Sequence, residues 1–116
     1  MKLFKKRKKR SKHDMVTDNL EQRLRKSNNV RKIYRNVNYL LGECDILAQY
    51  YDGKFVYYEV KSTHSKRNMN KAQDQLIRWI DYMKFHYPER TYYGVYHSPK
   101  RTKIMGSYWK RKNDKR

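Results

Sequence analysis

Apolar and polar positions alternate along this chain with two periods. Val16, Leu20 and Leu24 recur four residues apart, which predicts a short helix over about residues 14–27 with one apolar stripe. Asn28-Asn29 breaks that pattern. From Val30 to Tyr39 the period becomes two, with Ile33, Val37 and Tyr39 on one side and Tyr34 with Arg and Asn residues on the other, as in a strand. Leu40-Leu41-Gly42 leads into two further strand-like runs that meet at Asp52-Gly53. Beyond the polar stretch 62–67, Met69, Ala72, Leu76, Trp79, Ile80 and Met83 follow the i, i+3, i+4, i+7 spacing of a longer helix, capped by Asn68 or Asn70 and ending near Phe85. Thr91 to His97 is a tyrosine-rich strand, Ser98-Pro99-Lys100-Arg101 a turn, and Lys103-Ile104-Met105 a short last strand. This order implies an α/β fold, a small mixed sheet flanked by helices.

The hairpin carries the candidate chemistry, because Asp45 and Glu59-Val60-Lys61 lie within otherwise apolar and aromatic strand sequence. Carboxylates and a lysine in such surroundings are costly to desolvate unless they are paired or bind a cation. A two-residue turn at Asp52-Gly53 would set Asp45 and Glu59 on opposite faces. A three-residue loop, Tyr51-Asp52-Gly53 with Gly53 left-handed, sets Tyr50 against Lys54 and Asp45 against Glu59. Lys61 then follows on the same face, since side chains repeat every second residue. Glu43 falls on the other face and is expected to be structural or to pair with a base.

Composition narrows the partner. The 116 residues, enough for one modest core, carry 30 Lys+Arg against 11 Asp+Glu, a formal net charge of +19. That balance points to a polyanion, nucleic acid first. No apolar run approaches a membrane span of about 20 residues, and Met1-Lys2-Leu3-Phe4 does not begin a secretory signal. A single cysteine, Cys44, excludes an intrachain disulfide and suits a core position in a reducing, cytoplasmic setting. His13, His64, His86 and His97 show no zinc-ligand spacing. Residues 1–13 form a basic arm, 14–98 the core, and 99–116 a basic C-terminal segment. Candidate phosphate contacts are Lys5, Lys6, Arg7, Lys8, Lys9 and Arg10 in the arm, Lys66, Arg67 and Lys71 near the second helix, and Lys100 and Arg101 in the last turn. The tyrosines, 12 in all, serve core and strand surface or offer stacking platforms for bases.

Taken together, Glu21 on the first helix, Arg35-Asn36-Val37, Gly42-Glu43-Cys44-Asp45-Ile46-Leu47-Ala48, Glu59-Val60-Lys61 and Gln73 resemble the PD-(D/E)xK, restriction-endonuclease-like nucleases. Within that superfamily the resemblance is to archaeal and viral Holliday junction resolvases, over roughly residues 14–97. Cys44 stands where the signature proline would be. The resemblance implies an α-β-β-β-α-β core and a Mg²⁺- or Mn²⁺-dependent endonuclease acting on DNA, with branched DNA the leading substrate and a homodimer if junctions are cut. It implies Asp45, Glu59 and the Val60 carbonyl as metal ligands, Lys61 as the group that orients or deprotonates the attacking water, and Glu21 and Gln73 as assisting residues. A nuclease that trims single strands or nicks duplexes, and a non-catalytic basic nucleic-acid-binding protein, are the competing readings.

Overall fold

A computed structural model describes residues 10–110 of the chain. Helix α1 spans Lys12–Arg25, followed by strands β1 (Val30–Tyr39), β2 (Gly42–Tyr50) and β3 (Phe55–Val60). Helix α2 (Lys66–His86) then leads to β4 (Tyr92–His97) and β5 (Thr102–Tyr108). The strands form one sheet in the order β1-β2-β3-β4-β5, antiparallel except for β3 and β4, which run parallel across the α2 crossover. The fold is therefore the expected mixed α/β arrangement. The fifth strand, Thr102–Tyr108, is longer than the expected Lys103-Ile104-Met105 and carries the sheet past residue 98.

The two helices cover opposite faces, which explains why β3 is apolar or aromatic at nearly every position. Val16, Leu20 and Leu24 of α1 pack on Ile46, Ala48, Val56, Tyr58 and Val60. Ala72, Leu76, Trp79 and Ile80 of α2 pack on Tyr57, Tyr92 and Tyr96. A strand buried on both sides cannot alternate apolar with polar residues. The Leu76–Trp79 face of α2 is thus core: Leu76 is fully buried and Trp79 nearly so. Gly94 lets α2 approach the sheet, because a Cβ there would lie 2.8 Å from the Leu76 Cβ.

Ser11 caps α1, its hydroxyl accepting from the Asp14 amide, and Ser65 caps α2 by accepting from the Asn68 amide. Both helices therefore begin before the positions expected from the apolar pattern, because a capping hydroxyl rather than an apolar residue sets the first turn. The β2–β3 loop is the three-residue form: the Tyr50 amide donates to the Lys54 carbonyl, the Gly53 amide to the Tyr50 carbonyl, and Gly53 has φ +97°.

One strand departs from strict alternation. Asn36 in β1 has φ 54°, a left-handed conformation that Asn tolerates better than most residues. Ile33 packs in the α1 layer, whereas Val37 and Tyr39 pack in the α2 layer. The single parity expected for Ile33, Val37 and Tyr39 is thus broken at Asn36. The same crossover occurs on β2, where Ile46 belongs to the α1 layer and Cys44 to the α2 layer.

Candidate active site

Asp45 lies where that crossover meets the end of a ladder. The β2–β3 pairing runs Gln49↔Phe55, Ala48↔Val56, Leu47↔Tyr57 and Ile46↔Tyr58. Continued by one step, this register sets Asp45 opposite Glu59. There the strands part, and Asp45 Oδ2 accepts the Val60 amide at 2.8 Å in place of a ladder carbonyl. A hydrogen bond from an amide to a charged oxygen contributes about 1.5–3 kcal/mol, enough to hold the carboxylate in the gap between the strands.

Glu59 is 4% exposed. Its carboxylate accepts from the Tyr57 hydroxyl and lies 3.2 Å from Lys61 Nζ. Burial, and then the Asp45 charge, push its pKa upward, while Tyr57 and Lys61 pull the other way. A buried carboxylate whose ionisation a neighbouring carboxylate disfavours is the arrangement a cation relieves. Burial also raises the Tyr57 hydroxyl, with the Glu59 charge adding to it, so Tyr57 stays a donor. Cys44 is a buried small residue whose thiol burial pushes up to about 12, far from the range of a reactive thiolate.

Lys61 Nζ lies between Glu59 and Gln75 Oε1, 3.1 Å away. Its amide donates to the His97 carbonyl, extending the β3–β4 pairing by one residue and fixing the backbone beneath the lysine. His97 is buried, with Nδ1 against Thr102 Oγ1 at 2.7 Å and Nε2 3.4 Å from Arg23. Burial, then the Arg23 charge, lower its pKa, so it is held neutral.

Each helix brings a different residue here from the one expected. On α1 it is His13, whose Nε2 is 3.0 Å from the Val60 carbonyl and 3.5 Å from Asp45 Oδ2. Glu21 lies eight residues further along α1, about 12 Å at 1.5 Å per residue. It receives Arg35 at 2.7 Å and Arg25. Arg35 also binds Asp18, at 3.0 Å, and its bonds hold the Glu21 carboxyl below the usual range. Glu21 is thus spent on tying α1 to β1. On α2 the residue at Lys61 is Gln75; Gln73 lies beyond the first turn, since the helix starts at Lys66. Both newcomers carried a signal. His13 precedes Val16 by three and the buried Thr17 by four, so it extends the α1 stripe, and Gln75 shares the spacing of Ala72 and Trp79.

Asp45, Glu59 and the Val60 carbonyl are a hard-oxygen set, which suits Mg²⁺ or Mn²⁺. Among the described residues no three His, Cys, Asp or Glu side chains converge as a metal cage. Mg²⁺ typically binds through one or two carboxylates and otherwise takes waters and substrate phosphate oxygens, so the pair with its carbonyl fits. Glu43 is exposed and in no ion pair among the described residues; its carbonyl lies 3.2 Å from the Tyr57 hydroxyl, whose one proton goes to Glu59.

Basic residues approach this end of the sheet from three segments. Arg10 precedes α1, Lys66, Arg67 and Lys71 stand on the first turns of α2, and Lys100 and Arg101 lie in the β4–β5 turn. All are exposed. Arg10 pairs with Asp18 at 2.7 Å; the other five are in no ion pair among the described residues. Lys5, Lys6, Arg7, Lys8 and Lys9 lie outside the described residues.

No protein-family model matches the chain, and no curated protein matches it in sequence. Solved structures do match its fold. A repair endonuclease from Pyrococcus abyssi superimposes with a TM-score of 0.56 and 23% identity over 82% of this chain and 40% of that one. The EndoMS–dsDNA2 complex superimposes with a TM-score of 0.59 and 15% identity over 82% of this chain and 39% of that one. The chain therefore spans about two fifths of the length of these structures. At these identities the shared property is the fold, a five-stranded mixed sheet between helices with a restriction-endonuclease-like core.

Proposed function

We propose that this chain is a divalent-metal-dependent endonuclease that hydrolyses DNA phosphodiester bonds, with branched DNA as its first substrate. The observation that carries the reading is Glu59, buried beside Asp45 at the point where β2 and β3 part, with Lys61 3.2 Å from Glu59. A structural salt bridge needs one carboxylate and one base; a second carboxylate, whose ionisation the first opposes, is a cost without a cation. The likeness of fold to repair endonucleases supports the same reading.

Asp45, Glu59 and the Val60 carbonyl would hold Mg²⁺ or Mn²⁺. Such a cation lowers the pKa of a bound water and stabilises charge gathering on phosphate oxygens. Glu59 and Gln75 hold Lys61 Nζ at the site's mouth, where it can orient the attacking water and accept its proton once deprotonated, or offset the charge developing on phosphorus-bound oxygen. The Lys61–His97 backbone bond limits how far Nζ can drift. Lys66, Arg67, Lys71, Lys100 and Arg101 would take flanking phosphates, positioning the strand without reading sequence. A +19 chain binds DNA by this route with steep salt dependence. Cutting of continuous duplex is a second reading, favoured by the likeness to a structure solved with double-stranded DNA.

The test is cleavage of a labelled four-way junction, linear duplex, flap and single strand, with and without Mg²⁺. Paired symmetric cuts on the junction are expected, and Lys61→Ala and Asp45→Asn should reduce the rate at least about 100-fold, in line with losing a proton-transfer group, while binding stays nearly intact. Cutting confined to duplex would move the substrate to the second reading. Tight binding without cutting under any divalent ion would make the chain a binding protein.

A further inference from the structure

The end of the sheet away from Asp45 carries a cleft that the hydrolysis outlined above does not use. Its volume is about 720 Å³, and its walls are the β2–β3 loop, the α2–β4 connection, Tyr93, and Trp109 with Lys110 just after β5. That volume lies within the range of small-ligand sites. Hydrogen bonds to Thr91 tie the walls together. The Phe55 amide donates to its carbonyl at 3.0 Å, and the Lys110 amide to its Oγ1 at 3.1 Å.

Trp109 is the unusual member of this cleft. It is 67% exposed, although so large an aromatic gains much from burial. Its ring meets Tyr93 nearly at right angles, at 81° with centroids 5.6 Å apart. A partner in that geometry covers at most one indole face, so at least one face is left for another flat ring. Cations stand beside it. Lys54 is held by Asp52 at 2.8 Å. Arg90 lies over the Phe55 ring, 5.3 Å from its centroid, and neither Arg90 nor Lys110 is in an ion pair among the described residues. Asp52 and Glu89 also line the cleft, so its net charge is only slightly positive. That balance suits one phosphate and not a run of them.

An open aromatic face beside a few cations is how proteins hold unpaired bases, the base stacking and its phosphate meeting a cation. Bases inside a duplex have both faces covered by their neighbours. We propose that this cleft is a subsite for an unpaired nucleotide of single-stranded DNA, with the base stacked on Trp109 and the phosphate met by Arg90 and Lys110. That the strand is DNA rests on the nuclease reading; the subsite itself does not depend on chemistry at Asp45. β3 links the two sites. From Lys54 to Lys61 is seven residues, about 23 Å at 3.3 Å each, so the subsite holds a nucleotide several positions from the bond at Lys61. It favours substrates with unpaired bases over continuous duplex.

The experiment is titration of the full chain with a labelled oligodeoxythymidylate strand, a blunt duplex of equal length, the matching RNA strand and free dTMP. Tryptophan emission and DNA anisotropy are read for wild type, and anisotropy for Trp109→Ala, Trp109→Phe and Arg90→Gln. Trp79 is 2% exposed, so quenching by a base reports Trp109. The DNA strand should quench wild-type emission and the duplex should not. Trp109→Ala should weaken strand binding at least about fivefold, the lower end of base–aromatic stacking, and Arg90→Gln should weaken it too. Trp109→Phe should keep most of it, and duplex affinity should stay unchanged in all three variants, which also shows them folded. A strand that binds without quenching, or a Trp109→Ala loss shared equally by strand and duplex, would overturn the subsite. Quenching by dTMP at the strand's own affinity would overturn the assignment to a strand. Preference for the RNA strand would overturn the assignment to DNA while leaving the cleft a base-binding site.

Discussion

At the scale of single residues, the site is a set of charges and lone pairs held where water is scarce. Asp45 takes a backbone amide that a regular ladder would have satisfied otherwise, and Glu59 is buried beside it. His97, under Lys61, illustrates the electrostatic cost of this region. Its pKa is lowered by burial and by Arg23, and among the described residues its ring nitrogens meet Arg23 and Thr102 and no carboxylate that would stabilise the imidazolium. In the unfolded chain this histidine titrates near 6.5. The stability it contributes is therefore complete above that value and is lost as pH falls through the lower, folded-state pKa. Urea denaturation of wild type and His97→Asn at about pH 7.5 and pH 5, on either side of that value, should show a steeper acid loss in the wild type. Parallel losses in the two proteins would mean that other groups carry the acid sensitivity.

At the scale of elements, the decisive feature is the left-handed Asn36. It moves the apolar side of β1 from the α1 layer to the α2 layer, and its neighbour β2 makes the same exchange around Asp45. The register pairs Arg35 with Ile46 and Val37 with Cys44, which puts Asn36 opposite Asp45. The kink and the opening of the β2–β3 ladder are thus adjacent. Asn36→Val should destabilise the fold by about 1–2 kcal/mol, the cost of a left-handed β-branched residue, visible as a lower denaturant midpoint. Asn36→Gly should be tolerated. Equal effects of the two substitutions would show that side-chain contacts, and not backbone handedness, matter at this position.

At the scale of the whole molecule, charge dominates. No described helix is long and apolar enough to cross a membrane, and among the described residues Arg10, Lys66, Arg67, Lys71, Lys100 and Arg101 are brought to one end of the sheet by the start of α1, the start of α2 and the β4–β5 turn. Deleting residues 1–9, which leaves the Ser11 cap of α1 in place, removes Lys5, Lys6, Arg7, Lys8 and Lys9. DNA affinity should fall and the slope of log affinity against log salt should flatten, by about 0.9 for each duplex phosphate that the arm had neutralised. An unchanged slope in a salt series would show that the arm binds no phosphates.

Much of this was legible in the chain itself. The apolar spacing of Val16, Leu20 and Leu24, and of Ala72, Leu76 and Trp79, defines both helices because a helix must bury one stripe. The three-residue loop at Tyr51-Asp52-Gly53 followed from asking which turn lets Asp45 meet Glu59, since parity along a strand is a local property. What parity could not supply is where an element stops or flips. The handedness of Asn36 and the length of β5 depend on partners distant in sequence. So does the choice of helix residues at the site. Glu21 has the chemistry expected of a site acid, but Arg35 lies within its reach and the Asp45–Glu59 pair does not. His13 and Gln75 lie on the right stripes, and only the packing of α1 and α2 against the open end of β2 and β3 brings them to Asp45 and Lys61. Residue type and spacing determined the chemistry available to this protein; the tertiary structure decided which of those groups meet, because meeting depends on the crossing of elements that no local period encodes.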